Sequence, residues 1–326
     1  MAKYCIGIDL GGTYVKFGLL DDQRQPSEIF QLRTPAGAKD VIRQMVHGAR
    51  TLMAENDLVD SDIVGVGIGS PGPLNVRDGM IIAMPNIPGM DNCPIRDRVS
   101  DGLGLPAVLE NDANAAAYGE FLCGAGQDVR SVVLLTLGTG VGSGIITDGR
   151  ILHGAHDIGG EMGHMIVQPG GEPCGCGQRG CLESYSSASN VARRARRRIE
   201  QEGGTGVLAA VLKQKGEIDA KDVEQAALAG DELAAAVWDD CARYLAVACV
   251  NICRALDPDS IILGGGMIKA GEALLAPLRE HFGRMHWRLT PPRTRIEPAR
   301  LGNDAGVIGA AGVAWERFGG PRAAGQ

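Results

Sequence analysis

One pattern occurs twice in this chain and restricts its fold more than any other feature. The apolar run Lys3 to Ile8 leads into Asp9-Leu10-Gly11-Gly12-Thr13, then into a second apolar run, Val15 to Leu20, and a turn at Asp21-Asp22. From Ser131 the same order returns: Val132 to Leu137, the loop Gly138-Thr139-Gly140-Val141-Gly142, Ile145-Ile146 and a turn at Asp148-Gly149. An ungapped offset of 127 residues lays strand on strand, Gly11 on Gly138 and Asp21 on Asp148. Each copy reads as a β-hairpin with a glycine-rich bend. A repeat of this size predicts two similar α/β halves whose glycine loops face a common cleft. Adjacent glycines let backbone N–H groups approach an anion, which makes Gly11, Gly12 and Thr13, and likewise Gly138, Thr139 and Gly140, candidate phosphate cradles. The plain alternative is a pair of ordinary hairpin turns. Asp9 falls on Thr136, so only the first copy brings a carboxylate that could hold a metal ion.

Between the copies, the apolar run Leu105 to Leu109 stops at Glu110-Asn111-Asp112 and opens into the Ala-rich segment Ala113 to Gly119. This reads as a strand entering a helix. Side chains at the C-terminal ends of strands in open α/β sheets face the crevice where ligands bind, which places Asn111 and Asp112 for chemistry. The competing reading is a helix cap. Upstream, Lys39 to Asn56 has the apolar spacing of one helix face, and Ile63 to Ile68 is a buried strand. That strand runs into Ser70-Pro71-Gly72-Pro73, and Pro85-Asn86-Ile87-Pro88-Gly89 follows. Both loops could line a cleft or be plain connections.

Past the second copy come Glu161 and His164 in Gly159-Gly160-Glu161-Met162-Gly163-His164, then Cys174, Cys176, Cys181 and Glu183. One imidazole and three thiols interleaved with glycines fit a tetrahedral structural Zn²⁺ site of the Cys₃His type. A redox pair or inert cysteines are the alternatives, and the cluster lacks the two-residue C-x-x-C spacing of a redox pair. Helices are expected from Ser186 to about Leu256, the longest from Asp231 and ending at Asp257-Pro258. Ser260 to Leu263 reads as a short buried strand entering the triplet Gly264-Gly265-Gly266, which suits close approach to a nucleotide or a bare turn. A last helix is expected from about Asp304 to Phe318.

With 326 residues, the chain has room for about two domains. A net charge of -7 argues against a nucleic-acid or anionic-membrane partner. The one basic run, Arg193-Arg194 with Arg196-Arg197-Arg198, is expected on a solvated helix face. No apolar stretch reaches membrane-spanning length and no signal-peptide layout is seen, so a cytoplasmic protein is expected. Nine cysteines, an odd number with three of them clustered, point to metal ligation in a reducing compartment rather than to a disulfide framework.

These residues also match a family. The chain resembles the bacterial ROK-family sugar kinases of the actin and hexokinase superfamily over nearly its whole length. The match rests on IGIDLGGT (6–13), SPGP (70–73), ENDANAAA (110–117), LGTGVGSGIITDGRILHGAHDIGGEMGH (137–164), CGCGQRGCLE (174–183) and LGGGM (263–267). The resemblance implies an α/β fold of two actin-like, ribonuclease-H-like domains closing on a central cleft, with a zinc-binding insertion. Its domains would be 1–112 with the C-terminal helix 304–326, and 113–303 with the zinc site. It implies ATP-dependent transfer of a phosphoryl group to the 6-hydroxyl of a hexose, most closely that of a glucokinase. N-acetylmannosamine, fructose or allose are alternative sugars. By matching position, Asp112 is the implied base, and Gly72, Asn86, Asn111, Asp112, Glu161, His164 and Glu183 the implied sugar site. Asp9 and the two glycine loops would hold Mg²⁺ and the ATP phosphates, Gly264, Gly265 and Gly266 the adenosine, and His164, Cys174, Cys176 and Cys181 the Zn²⁺. Through His164 that metal is expected to support sugar binding while leaving ATP affinity nearly unchanged. A homodimer is expected, with hexose and ATP as partners and neither nucleic acid nor membrane. Many glucokinases of this family have Trp where Met90 stands and Lys or Asn where Tyr14 stands. The family also contains sugar-responsive repressors, the rival reading, but Asp9 sits too near the start for a preceding helix-turn-helix. A non-catalytic, zinc-stabilised sugar sensor is the third reading.

Overall fold

Apolar residues bury both faces of the first strand, Tyr4–Leu10 (β1), which pairs antiparallel with Tyr14–Asp21 (β2) across the Gly11–Thr13 bend. The computed structural model describes residues 2–287 and 289–320, so 321–326 of the expected C-terminal segment lie outside the described residues. Phe30–Arg33 (β3) adds antiparallel to β2. The helix Ala38–Glu55 (α1) turns Val41, Met45, Ala49 and Leu52 inward, spaced as an amphipathic helix requires. Ile63–Ser70 (β4) lies parallel to β1. A small ribbon of Leu74–Asn75 (β5) and Met80–Ile81 (β6) and the helix Ile95–Leu103 (α2) precede Ala107–Asn111 (β7), which is parallel to β4. Asp112–Cys123 (α3) starts where β7 stops. The first sheet has the order β3-β2-β1-β4-β7.

The second sheet is made of Val132–Leu137 (β8), Val141–Thr147 (β9), Arg150–Ile151 (β10), Ser260–Gly264 (β11) and Arg295–Pro298 (β12). Its order is β10-β9-β8-β11-β12, the same as the first when the strands are matched in turn. Here β11 runs parallel to both β8 and β12, just as β4 runs parallel to β1 and β7. The repeat seen in the sequence is therefore real at the level of strands: β9 begins at Val141, the partner of Tyr14 under the 127-residue offset. Helices Glu183–Ser186 (α4), Ala188–Glu202 (α5), Val207–Lys215 (α6), Ala220–Leu228 (α7), Glu232–Leu256 (α8) and Glu272–Met285 (α9) belong to this half of the chain. Asp231 caps α8 by accepting the Ala234 N–H at 3.0 Å, and Asp257 ends it in the left-handed region at φ 44°.

Two compact units result, one of Met1–Val129, Gly144–Gly159 and Arg300–Gln326, the other of Arg130–Ser143 and Gly160–Ala299. The division passes through β9. Residues 113–129, 144–159 and 300–303 thus sit in the first unit, where the reading from sequence had assigned them to the second. The reason is the helix Ala305–Phe318 (α10), which packs on β1, β4 and α3 with almost no side chain between the backbones. A Cβ on Gly67 would stand 1.7 Å from Ala310 O, and one on Gly309 would stand 1.6 Å from Ala115 O. Only glycine lets α10 lie this close, and α3 is held to the first unit by the same contact.

The basic run on α5 needs a correction. Arg194 is 6% exposed, beside buried Val191 and Ala195, and is not on a solvated face. It donates to Asp240 at 2.6 Å and lies over the Tyr185 ring, 5.0 Å from its centroid. Pairing and the cation–π contact offset the cost of burying the guanidinium. Arg193 and Arg196 are exposed as expected.

Candidate functional site

In the first unit the parallel order β1-β4-β7 brings the C-terminal ends of those strands to one edge of the sheet. Asp9 lies near the end of β1 and Asp112 follows β7 directly. The two carboxylates are close enough to repel. Loss of surrounding water, then the charge of Asp112, push the Asp9 carboxyl up to about 6, against the pull of Lys16. Asp9 also lies over the first turn of α10, where a Cβ on Gly306 would stand 3.0 Å from its Oδ2.

Both readings of the β7–α3 corner hold at once. Asn111 is the cap of α3, its side-chain oxygen accepting the N–H groups of Ala113 and Asn114 at 2.9 and 3.2 Å. Asp112 Oδ1 accepts the Ala113 N–H at 2.8 Å, which fixes the carboxylate at the start of the helix. The Gly11–Thr13 bend is held by Gly11 N–H to Tyr14 O at 3.0 Å and by the Thr34 hydroxyl to Gly11 O at 2.7 Å. Gly12 and Thr13 are exposed. The loops carrying Gly72 and Asn86 are stitched together by Ile82 N–H donating to Pro73 O at 2.9 Å. Gly72 has φ 95°, and a Cβ there would stand 2.7 Å from Ala83 O, so glycine is required. Asn86 is exposed and Met90 is fully buried in the core.

In the second unit, Gly138 N–H donates to Gly140 O at 3.0 Å and Ala188 N–H to Gly138 O at 2.8 Å, which ties the loop to the start of α5. The Ser189 hydroxyl donates to Thr139 O. Gly265 has φ 86°, and a Cβ there would meet the Leu137 backbone at 2.5 Å, so the glycine triplet is pressed against the end of β8. Two cavities adjoin these loops. One, of about 440 Å³, is lined by Gly266, Lys269, Lys221 and Trp238 among others; the second, of about 460 Å³, by Thr139, Ser189, Arg193 and Arg196. Ala188, Asp219 and Ala220 border both. Sequence reasoning missed Asp219, Lys221 and Lys269, and it read Arg193 and Arg196 as plain surface. A capping signal was present, because Asp219 and Asp222 bracket the start of α7 in a capping box. It marks a helix start without saying what lies beside it.

The four expected zinc ligands converge. One donor atom each from His164, Cys174, Cys176 and Cys181 lies within 4.8 Å of all the others. His164 Nδ1 is 3.7 Å from Cys174 Sγ, and Cys176 Sγ is 3.7 Å from Cys181 Sγ. Three sulfurs and one imidazole nitrogen in one small cluster suit Zn²⁺ by ligand softness and number. Hydrogen bonds from Gln178 hold the Cys176 thiol down at about 6, whereas burial pushes Cys181 up to about 12. Glu161 stands exposed at the head of the 3₁₀ turn Met162–His164. Glu183 opens α4, and its carboxylate bridges two parts of the unit: Oε2 accepts the Val141 N–H at 3.0 Å and Oε1 lies 3.7 Å from Cys174 Sγ. A side chain expected to meet sugar is thus also joined to the second glycine loop.

The chain is similar to known proteins in both sequence and fold. A glucokinase of Halalkalibacterium halodurans is 38% identical over 314 residues, covering 94% of this chain and 93% of the relative. The solved ROK hexokinase of Thermus thermophilus superposes with a TM-score of 0.83 at 33% identity, over 97% of this chain and 99% of that one. A ROK-family glucokinase of Streptomyces griseus, solved with glucose and AMPPNP, gives a TM-score of 0.76 at 34% identity over 96% and 99%. The sequence model of the ROK family matches residues 5–317, and the chain belongs to that family.

Proposed function

We propose that this protein is an ATP-dependent hexose kinase that transfers the γ-phosphoryl group of ATP to a sugar 6-hydroxyl, with glucose as its first substrate. The observation that supports this most is the carboxylate pair at the strand ends: Asp112 fixed at the start of α3, and Asp9 with its pKa pushed up to about 6 beside it. Phosphoryl transfer asks a protein mainly for positioning and for neutralisation of charge. Asp112 accepts the proton of the 6-hydroxyl as that oxygen bonds to the γ-phosphorus, and the bond from phosphorus to the β–γ bridging oxygen breaks to release ADP. Asp9 would hold Mg²⁺, which would supply positive charge beside the two carboxylates. Gly11, Gly12, Thr13, Gly138, Thr139 and Gly140 present N–H and hydroxyl donors to the phosphates. Gly264, Gly265 and Gly266, with the cavity beside Lys221 and Lys269, receive the nucleoside.

Sugar hydroxyls are read by Asn86, Asn111, Glu161, His164 and Glu183, with Gly72 giving the loop its shape. Recognition by carboxylates makes the site strict about epimers, because a missing hydroxyl leaves unpaired an acceptor whose water the sugar has displaced. His164, Cys174, Cys176 and Cys181 would hold Zn²⁺, which supplies a structural clasp and no reaction step. We expect the enzyme to work as a homodimer in a reducing cytoplasm.

ADP release measured over a panel of hexoses tests the substrate. Glucose should give the highest kcat/KM, and an N-acetylated hexosamine ahead of it would overturn the choice of sugar but leave the mechanism. Asp112→Asn should lower kcat by roughly 10²–10⁴-fold, the usual worth of a positioned base. Near-normal turnover in that variant would remove Asp112 from its role.

A further inference from the structure

A buried carboxylate next to the proposed base takes no part in the chemistry above. Glu110 is 1% exposed, at the penultimate position of β7. Such a group is stable only with full hydrogen bonding. Its Oε1 accepts the Asn111 N–H at 2.9 Å and the Asn114 side-chain amide, also at 2.9 Å. Its Oε2 meets His153 Nε2 at 2.7 Å. Of these three partners only His153 can carry charge. The first two bonds span the corner that bears Asp112, one on each side of it in sequence. His153 arrives from another part of the same unit, just beyond β10, and its own carbonyl accepts the Gly159 N–H at 2.9 Å.

We propose that Glu110 and His153 are positioning residues for Asp112: the imidazole holds the Glu110 carboxylate, and that carboxylate holds the turn from which the base projects. The inference rests on the kinase reading of Asp112. A positioned base loses most of its value when displaced by about 1 Å, a shift that costs on the order of 10²-fold in rate. A charge-assisted bond at 2.7 Å is the strong kind, and it locks the carboxylate against rotation about its side-chain torsions.

The charged groups acting on His153 are Glu110 on β7, Asp157 on its own loop and Glu316 on α10, all negative. The hydrogen bond to Glu110, opposed by partial burial, raises the His153 pKa above its ordinary value. The imidazolium therefore persists toward neutral pH and is lost as pH rises through the raised value. The neutral ring can still donate through Nε2, so the lock weakens without vanishing.

Three variants test this: His153→Leu, His153→Gln and Glu110→Gln, each measured for kcat, sugar KM and Tm from mildly acidic to alkaline pH. His153→Leu should lower kcat by roughly 10–10²-fold, well beyond any rise in sugar KM, since Asn111 on the same corner is one sugar contact among several while Asp112 is the one base. His153→Gln keeps an N–H donor near the Nε2 position and should recover kcat to within about fivefold, without the alkaline loss expected of the wild type. A readout independent of turnover is the NMR titration of the His153 imidazole, whose pKa should fall toward about 6.5 in Glu110→Gln. An unchanged kcat in His153→Leu overturns the proposal. So does a rise in KM alone, which would mean that the imidazole touches sugar, or equal losses of kcat and Tm in both His153 variants, which would mean packing only. If the wild type phosphorylates no hexose, the kinase reading fails, while the imidazole titration still reports whether the pair forms.

Discussion

Asp240 shows how a single side chain can set an acid limit on stability. Burial alone would favour its protonated form, but hydrogen bonds from Arg243 and Arg194, with their charges, outweigh burial and hold its pKa below the ordinary value of 3.8. Its contribution to stability is therefore complete above that ordinary value and is lost as pH falls through the depressed one. Asp240→Asn should lower Tm at neutral pH, and the gap to wild type should narrow as the solution is acidified. A gap that stays constant would mean that the arginines gain nothing from its charge. Arg194 itself was legible in principle: Val191, Arg194 and Ala195 have the spacing of one helix face, so periodicity pointed inward where charge pointed outward. Asn111 and Asp112 could be picked out from sequence because a strand end and a helix start coincide there. Glu110 and His153 could not, since their meeting depends on strands far apart in sequence.

Among the elements, the zinc loop carries the most consequence for function. The four side chains that would hold zinc could be picked out from residue type and glycine spacing, because the cluster is local to one stretch of chain. The link through Glu183 was not legible, and it changes an expectation. Its carboxylate touches both Cys174 and the Val141 N–H, so disorder in the loop of Cys174 would reach the Gly138–Val141 loop proposed to cradle phosphate. Prolonged chelation, or Cys176→Ala, should lower Tm and raise the KM for ATP as well as for sugar, where the sequence had suggested that ATP affinity would stay nearly unchanged. Isothermal titration with an ATP analogue before and after chelation checks this. Unaltered nucleotide affinity would show that the Glu183 bridge is dispensable. Most helix and strand limits matched expectation to within a few residues, since the periodic patterns are long. The cavity beside Lys221 and Lys269 was not legible because nothing in a helix surface pattern records what a neighbouring loop leaves open.

For the whole molecule, the repeated sheet order was foreshadowed by two hairpins at a fixed offset, while the partition into units was not. Small residues on α3, α10 and the first sheet look featureless in a sequence, yet they set where the backbone can come closest. Gly309→Ala forces a Cβ into the space held by Ala115 O, and overpacking of this kind costs about 1–3 kcal/mol or more, several degrees in Tm. A variant with wild-type Tm would mean that α10 can ride outward at no cost. The seat of α10 also bears on how the protein is made. At ribosomal speeds of about 5–20 residues per second, roughly 10–40 s separate the emergence of the first sheet and α3 from that of α10. Throughout that interval the nascent first unit exposes the glycine-lined groove at Gly67 and Ala115, and by its end residues 160–299 have all been made. The half that bears the proposed base is thus the last to close during synthesis, and chaperones and proteases meet it with its core uncovered.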